Sequence, residues 1–428
     1  MVPSARFVRL RRVSRFHGRF ALAGDKSISH RLAILGALAH GRTTIGNFSA
    51  AADCQSTLDC LAAMGVAVTR RGPEVTIDGR GPESWYAPAG VLDAGNSGST
   101  LRMLAGPLAG RPFRTTIAGD ASLNRRPMER VAVPLRAMGA RVETTDGRPP
   151  MTIDGGGLQG IEWSLPVASA QVKTAVLLAG LQADGTTAVR EPEPSRDHTE
   201  RLLPAFGVAV RQEGAVLSVR RQDLRAYSMD VPGDVSSAAF LLVAALVLPD
   251  AHVRVERVLL NPRRTAFLDV LRAMGGDLTV GVDAETPEPV GWIEARSSRL
   301  HGIAVDPAIV PALIDEVPAL AVAAALADGP FTVSGASELR VKESDRIAAL
   351  AEGLGKMGAA VEERPDGLVI QGGRPLHGAR VASHDDHRIA MALAVAALTA
   401  DGETEIEGGA CVAVSFPDFP DLVRRASR

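Results

Sequence analysis

The segment LAAMGVAVT, residues 61–69, decides the fold because its pattern returns along the chain. It has the form of a helix end, a glycine and an alternating strand, and glycine readily takes the left-handed conformation that closes helices. The glycines of this pattern stand at positions 65, 139, 207, 275 and 358, so they are 74, 68, 68 and 83 residues apart. The copies are Leu61–Gly65, Leu135–Gly139, Leu203–Gly207, Leu271–Gly275 and Leu354–Gly358. This spacing predicts an architecture of repeated units.

A second pattern indicates how many units there are. An Ala/Leu-rich helix, a tight turn and a short strand occur together six times, as ALAHGRTTI (37–45), LAGRPFRTTI (108–117), LQADGTTAV (181–189), LVLPDAHVRV (246–255), LADGPFTV (326–333) and LTADGETEI (398–406). Dividing 428 residues by six leaves about 71 for each unit. We therefore predict an α/β protein of six βαβαββ units, grouped as two domains of three.

The break between the two groups of units falls near Tyr227–Val231, before the first helix of the fourth unit. The N-terminal strand has no place in the first unit, so we expect it to pair with the later domain. The predicted domains are residues 1–20 with 230–428, and residues 21–229. The chain then crosses between them near residues 20 and 230.

Composition excludes several classes of function. The chain has 47 Lys+Arg against 49 Asp+Glu and a net charge of −2, which argues against a nucleic-acid partner. Its longest apolar run, Ala238–Leu248, is too short to span a membrane. Three cysteines (Cys54, Cys60 and Cys411) fit a reducing compartment. No metal-ligand motif, Walker A loop or dinucleotide fingerprint is present, so we expect neither metal nor cofactor.

The first twenty residues carry six arginines and no acidic residue. Such a segment is typical of a transit peptide or a nucleic-acid-binding arm. It also fits a charged edge strand, because Arg6–Arg12 mixes apolar residues with arginines. We favour the edge strand, since no cleavage site follows.

Charged segments precede the predicted helices in unit after unit. Before the first helix of each unit stand DKSISHR (25–31), GNSGST (95–100), ASAQVKT (168–174), PGDVSSA (232–238), IDEVPA (314–319) and DDHRIA (385–390). Before the second helix stand LNRRPMER (123–130), PSRDHTER (194–201), NPRRTAF (261–267) and RVKESDR (340–346). Helix N-termini attract anions, and cations beside them strengthen that preference. Taken singly these residues are ordinary helix caps; as a set they predict a site for phosphates and carboxylates.

These segments resemble the 5-enolpyruvylshikimate-3-phosphate (EPSP) synthase family, and the resemblance runs from about residue 20 to Phe419. It rests on DKSISHR, GNSGSTLRML, LNRRPMERV, ASAQVKTAVLLAGL, RDHTERLL, IDEVPALAVAAA, LRVKESDRI and DHRIAMA in this order. The resemblance implies two inverse α/β barrel-like domains with an interdomain active-site cleft. It also implies transfer of the carboxyvinyl group of phosphoenolpyruvate to the 5-hydroxyl of shikimate 3-phosphate.

The resemblance also implies a role for each site residue. Asp315 accepts a proton from the 5-hydroxyl, Glu343 protonates the methylene carbon, and Lys26 contacts both substrates. Arg346 and Arg388 hold the carboxylate of phosphoenolpyruvate, and Gly98 and Arg126 border its phosphate. The remaining substrate-binding residues are Ser27, Arg31, Ser169, Ala170, Gln171, Arg196 and Lys342, with Ser169 and Arg196 on the shikimate phosphate. Glyphosate binds in the phosphoenolpyruvate place in this family, and some members with Ala at the position of Gly98 tolerate it.

One position departs from many members of the family, which have Lys where this chain has Val414. A contact to phosphoenolpyruvate from the C-terminus is therefore in question. Two alternatives stay open, a carboxyvinyl transferase acting on UDP-N-acetylglucosamine and a non-catalytic anion-binding protein on the same scaffold. The former has Asn after the early Lys, where this chain has Ser27, and uses a loop cysteine. We expect a cytoplasmic monomer.

Overall fold

The computed structural model describes residues 7–427 and divides into two compact units. The N-terminal unit comprises Gly24–Val231 with Thr286–Glu288. The C-terminal unit comprises the chain up to Ala23, Pro232–Glu285, and the chain from Pro289 onward. The sequence pattern predicted that the chain crosses between its two domains near residues 20 and 230.

The first two strands of the described residues, β1 (Phe7–Arg11) and β2 (Phe16–Ala21), belong to the C-terminal unit. The helices of the N-terminal unit are α1 (Lys26–Leu38), α2 (Ala52–Ala63), α3 (Gly98–Ala109), α4 (Glu129–Ala137), α5 (Ala170–Gly180) and α6 (His198–Leu202). Its strands are β3 (Ala39–Gly46), β4 (Ala67–Arg71), β5 (Glu74–Arg80), β6 (Leu92–Asp93), β7 (Arg114–Ala118), β8 (Arg141–Thr145), β9 (Arg148–Asp154), β10 (Glu162–Ser164), β11 (Thr186–Arg190), β12 (Arg211–Glu213), β13 (Val216–Arg220), β14 (Leu224–Arg225) and β15 (Met229–Asp230).

The C-terminal unit continues with seven α-helices in the described part of the chain. They are α7 (Val235–Val247), α8 (Ala266–Ala273), α9 (Val310–Leu313), α10 (Val317–Leu326), α11 (Arg346–Lys356), α12 (His387–Ala397) and α13 (Phe419–Ala426). Its further strands are β16 (Ala251–Leu259), β17 (Asp277–Ala284), β18 (Val290–Arg296), β19 (Pro330–Val333), β20 (Ala360–Arg364), β21 (Gly367–Gln371), β22 (Arg380–Ala382) and β23 (Glu403–Glu407).

Each predicted repeat forms one sheet, so residues 7–427 contain six sheets, three in each unit. The second repeat has the order β6-β7-β9-β8, with β6 and β7 parallel and the other pairs antiparallel. The third has the equivalent order β10-β11-β13-β12. The predicted α/β class and the repeated βαβαββ pattern are confirmed.

Two repeats take their first strand from a distant part of the chain. In the first repeat, β14 and β15 lie parallel to β3, although nearly 200 residues separate them. In the fourth repeat, β2 lies parallel to β16. In the sixth repeat, β1 pairs antiparallel with β23 at the edge of the sheet. The edge-strand interpretation is therefore confirmed for Phe7–Arg11, while Arg6 lies outside the described residues.

The glycines of the LAAMG pattern have the backbone conformation that the sequence predicts. Their φ angles range from 81° to 105°, in the left-handed region that favours glycine. Each glycine ends a helix and sends the chain back along the sheet.

The core of each unit is built around three apolar helices. These are α1, α3 and α5 in the N-terminal unit and α7, α10 and α12 in the C-terminal unit, and nearly all their residues are buried. Small residues allow close packing: a Cβ added at Gly106 of α3 would lie 2.1 Å from the Ala175 carbonyl oxygen of α5. Such tight packing fixes the helix starts relative to one another within each unit.

Over the described residues, no single helix is long and apolar enough to span a membrane. The bent pair Pro307–Leu313 and Val317–Leu326 meets the length and composition requirement only when its two parts are taken together.

Candidate active site

In the N-terminal unit, seven of the nine predicted site residues lie at or near the starts of α1, α3 and α5, while Arg126 and Arg196 precede α4 and α6. Asp25, Ser97 and Ser169 cap these helices, and each side chain accepts a backbone N–H from the first turn. The residues are therefore helix caps, as their types suggest. Helix starts retain further N–H groups and a partial positive charge that suit a phosphate, and the Ser169 hydroxyl can still donate its own proton. Ala170 is the first residue of α5.

Arg31 is buried and holds three parts of the unit together. Its Nε donates to Thr199 at 2.8 Å, its Nη2 to Thr174 at 3.1 Å, and its Nη1 to the Ser27 carbonyl oxygen at 2.8 Å. Burial lowers the pKa of Arg31 to about 10, so the guanidinium stays charged at neutral pH. Arg196 lies beside it, with Nη1 at 3.5 Å from the Ser27 hydroxyl. The structure thus brings Ser27, Arg31 and Arg196 together.

Lys26 forms an ion pair that the sequence analysis did not identify. Its Nζ lies 2.8 Å from Oδ2 of Asp53, a residue of α2. The backbone oxygen of Asp53 also accepts a hydrogen bond from Thr100 of α3 at 3.2 Å. Asp53 therefore links Lys26 to the helix that starts at Gly98. It lies outside every charged segment before a predicted helix, so the motifs carried no signal for it.

Gln171, Gly98 and Arg126 lie around a second arginine, Arg102. The Arg102 Nη1 donates to Gln171 at 2.8 Å. A Cβ built on Gly98 would lie 3.0 Å from the Arg102 Nη1 and 3.5 Å from the Arg126 Nη1. Arg126 also donates to Asn96, two residues before the start of α3. Arg102 stands in the motif GNSGSTLRML, but the sequence analysis assigned it no role.

In the C-terminal unit, Arg346 is surrounded by three carboxylates. Its side chain is 1% exposed, and it lies 2.7 Å from Asp386, 2.7 Å from Glu343 and 3.3 Å from Asp315. Burial opposes the charge, but these three carboxylates raise the pKa of Arg346 above its ordinary value. Burial by itself would raise the pKa of Asp386. The attraction of Arg346 is stronger than this effect, so the pKa of Asp386 is lowered. Asp386 also caps α12, and the sequence analysis did not assign it to the site.

Asp315 has two further cations close to it. The Lys342 Nζ lies 3.5 Å from its Oδ1. The Arg388 Nη1 donates to its backbone oxygen at 2.8 Å, and the Arg388 Nη2 lies 4.0 Å from its Oδ2. All five predicted site residues of this unit therefore form one cluster.

Val414 ends a short 3₁₀ turn, Gly409–Val414, and supplies no charged group there.

Over the described part of the chain, no three His, Cys, Asp or Glu side chains are grouped as metal ligands would be.

Comparison with known proteins gives the family. The sequence profile of the EPSP synthase family, described as 3-phosphoshikimate 1-carboxyvinyltransferase, matches residues 10–423. The chain belongs to the EPSP synthase family. The resemblance found in the motifs is therefore confirmed.

Individual members of the EPSP synthase family agree with this result. The chain is 52% identical to the 3-phosphoshikimate 1-carboxyvinyltransferase of Halorhodospira halophila, over 96% of this chain and 93% of the relative. It is also 52% identical to the enzyme of the same name from Pelotomaculum thermopropionicum, over 95% and 96% of the two chains. One EPSP synthase structure from Acinetobacter baumannii superposes with a TM-score of 0.88 at 45% identity, covering 98% of both chains.

Among the fourteen site residues predicted from the EPSP synthase motifs, nine lie in the N-terminal unit and five in the C-terminal unit. Contacts within each unit connect most of them directly or through one intermediate side chain. Their roles toward substrate stay predictions.

Proposed function

We propose that this chain transfers the carboxyvinyl group of phosphoenolpyruvate to the 5-hydroxyl of shikimate 3-phosphate and releases inorganic phosphate. The observation that carries the proposal is that Arg346 contacts both carboxylates expected to move protons, Asp315 and Glu343. A chain of this family with both carboxylates beside a buried cation has the groups that the reaction needs. The reaction belongs to the shikimate pathway, which leads to chorismate and the aromatic amino acids.

The reaction requires two proton transfers in opposite directions. Asp315 accepts the proton of the 5-hydroxyl as its oxygen attacks C2 of phosphoenolpyruvate, and Glu343 donates a proton to C3. This gives a tetrahedral intermediate. Phosphate then leaves from C2 while C3 loses a proton, which restores the double bond. Two carboxylates with opposite duties suit general acid–base catalysis.

The contacts of Arg346 suggest how Glu343 obtains its proton. The Arg346 Nη2 donates to Glu343 at 2.7 Å. A carboxylate of phosphoenolpyruvate that binds Arg346 competes with Glu343 for this donor. Glu343 then loses part of its counter-charge, and its affinity for a proton rises. Binding of the substrate thereby prepares the acid that the next step uses.

The cationic residues match the charges of the two substrates. Arg346 and Arg388 bind the carboxylate of phosphoenolpyruvate, and Arg126 borders its phosphate beside Gly98. Lys26 contacts both substrates. On the other substrate, Ser169 and Arg196 bind the 3-phosphate. The residues that complete the set are Ser27, Arg31, Ala170, Gln171 and Lys342. Planar guanidinium groups suit carboxylates and phosphates because they donate two parallel hydrogen bonds.

The cysteines argue against a transferase that uses a thiol. Cys54 and Cys60 are buried, and burial raises the pKa of Cys60 to about 12. Burial also raises the pKa of Cys54, and that of Cys411 to about 11. A thiol is a poor nucleophile or acid catalyst when its pKa lies so far above neutral. This supports shikimate 3-phosphate over UDP-N-acetylglucosamine as the acceptor. A non-catalytic anion binder would have no use for the two carboxylates beside Arg346.

We further propose that the protein works as a monomer in the cytoplasm, with domains formed by residues 1–20 with 230–428 and by residues 21–229. Three free cysteines suit a reducing compartment.

An assay of phosphate release tests the proposed reaction. Release from phosphoenolpyruvate should require shikimate 3-phosphate and should be absent when UDP-N-acetylglucosamine replaces it. The Asp315→Ala protein is the negative control. Release that needs no acceptor, or that UDP-N-acetylglucosamine supports, contradicts the proposal.

A further inference from the structure

Lys173 is a buried cation that has no place in the reaction described above. It lies in the first turn of α5, and its side chain is 2% exposed. Its Nζ lies 2.7 Å from Oε2 of Glu191 and 2.6 Å from Oε1 of Glu200. Both glutamate side chains are largely buried as well. Removing three charges from water is costly, so a buried cluster of this kind does not by itself stabilise the fold.

The contact with Glu191 controls the loop that carries Arg196. This loop, residues 191–197, connects β11 with α6. Glu191 accepts a hydrogen bond from the Ser195 hydroxyl and one from the Ser195 backbone N–H at 3.4 Å. These bonds fold the loop back onto Glu191 immediately before Arg196. The position of Arg196 therefore depends on Glu191, whose charge Lys173 balances.

The contact with Glu200 supports Arg31. Glu200 follows Thr199, which accepts the hydrogen bond from the Arg31 Nε. Thr174, the residue after Lys173, lies 2.6 Å from Thr199 through their hydroxyl oxygens. Two successive contacts therefore tie α5 to α6 at the point where Arg31 is held. Burial raises the pKa of Glu200, and Lys173 opposes this rise.

We propose that Lys173 is a positioning residue for the shikimate 3-phosphate half of the site. Through Glu191 it holds the loop of Arg196, and through Glu200 it holds the threonine that orients Arg31. Without Lys173, two carboxylates would remain buried with no cation between them. They would repel each other or take up a proton, and in either case the loop and α6 would separate from α5. This inference rests on the proposed roles of Arg31 and Arg196.

The test compares Lys173→Met, which keeps the length of the side chain and removes its charge, with Lys173→Arg, which keeps the charge. The dissociation constant for shikimate 3-phosphate, measured by calorimetry, should rise about 10- to 100-fold in Lys173→Met, the scale of a displaced binding group. Lys173→Arg should recover part of that loss. The KM for phosphoenolpyruvate at saturating shikimate 3-phosphate should stay within about 2-fold. If Lys173 had a purely structural role, its loss would weaken the binding of both substrates to the same extent.

Lys356→Met is the matched control. It removes the same charge from an exposed pair with Glu352, at 2.6 Å, and should leave both substrates within about 2-fold of wild type. If Lys173→Met does not fold, Glu191→Gln is the deciding variant, because it leaves Lys173 paired with Glu200. Glu191→Gln should still weaken the binding of shikimate 3-phosphate and leave that of phosphoenolpyruvate unchanged.

Arg196→Met separates a failure of this inference from a failure of the proposed site. If Arg196→Met binds shikimate 3-phosphate normally, the role of Arg196 is wrong and the inference falls with it. If Arg196→Met weakens binding while a folded Lys173→Met binds normally, only the inference about Lys173 is overturned. A double variant that loses much less than the sum of the two single losses supports coupling between the residues.

Discussion

Gly98→Ala is the substitution whose effect can be worked out most directly from the structure. Gly98 is the first residue of α3. A Cβ there would lie 3.0 Å from the Arg102 Nη1, closer than carbon and nitrogen atoms normally approach, and 3.5 Å from the Arg126 Nη1. The methyl group therefore points toward the guanidinium groups beside the proposed phosphoenolpyruvate phosphate, and Arg102 must move by a few tenths of an ångström to admit it.

That movement is resisted by the hydrogen bonds of Arg102. Its Nη1 donates to Gln171 at 2.8 Å and its Nη2 to the Pro127 carbonyl oxygen at 3.4 Å. A hydrogen bond from a charged group contributes about 1.5–3 kcal/mol. Weakening one should therefore reduce the binding free energy of both phosphoenolpyruvate and glyphosate. Glyphosate is longer than phosphoenolpyruvate, so we expect it to contact the methyl group as well. One methyl in a tight contact discriminates by about 1–3 kcal/mol, or about 10- to 200-fold.

The assay is the initial rate of phosphate release at several concentrations of phosphoenolpyruvate and glyphosate. Wild type should show inhibition competitive with phosphoenolpyruvate, and Gly98→Ala should raise the ratio of Ki to KM by about 10-fold or more. Gly355→Ala is a matched control, since a Cβ at this exposed position of α11 meets nothing within 4 Å. The reasoning is refuted if wild type resists millimolar glyphosate or if Gly98→Ala leaves the ratio unchanged.

Three further predictions concern proton transfer and buried charge. Asp315→Ala and Glu343→Gln should each lower kcat by about 100-fold or more, while Glu343→Gln changes the affinity for shikimate 3-phosphate much less; near-normal turnover removes the residue from the mechanism. Asp386→Asn removes one of the three carboxylates around Arg346 and should lower the free energy of unfolding at pH 7 by about 1–3 kcal/mol, the scale of losing one buried charged hydrogen-bond partner. Because the folded pKa of Asp386 is lowered, denaturant unfolding should show this difference in full above about pH 4 and shrinking below it; a difference that does not change with pH would falsify the pairing argument. Burial lowers the pKa of His30 to about 3, so the free energy of unfolding should fall as the pH drops from about 6.5 toward 3, by at most about 1.4 kcal/mol per pH unit from this group. The His30→Asn protein should show a smaller slope over that range, and an equal slope would mean that His30 takes up its proton over the same pH range in the folded and unfolded states.

Much of the fold follows from features that act over a few residues. A helix end needs a residue that tolerates positive φ, and the five glycines of the LAAMG pattern supply it. A helix start needs a side chain that accepts N–H groups, and Asp25, Ser97 and Ser169 do so. Because these requirements are local, the sequence alone predicts the repeated units, the helix starts and the cationic segments beside them.

Tertiary packing decided which distant residues meet. Nothing near Lys26 in the sequence indicates Asp53, and nothing near Arg346 indicates that Asp386 binds its Nε. In the same way β14 and β15 complete the sheet of β3, and Lys173 lies between Glu191 and Glu200. These contacts depend on how helices and sheets pack, because a buried charge is stable only where the fold brings a counter-charge within hydrogen-bond distance. The sequence by itself determined the kinds of groups at the ends of the helices, while only the tertiary structure determined their partners.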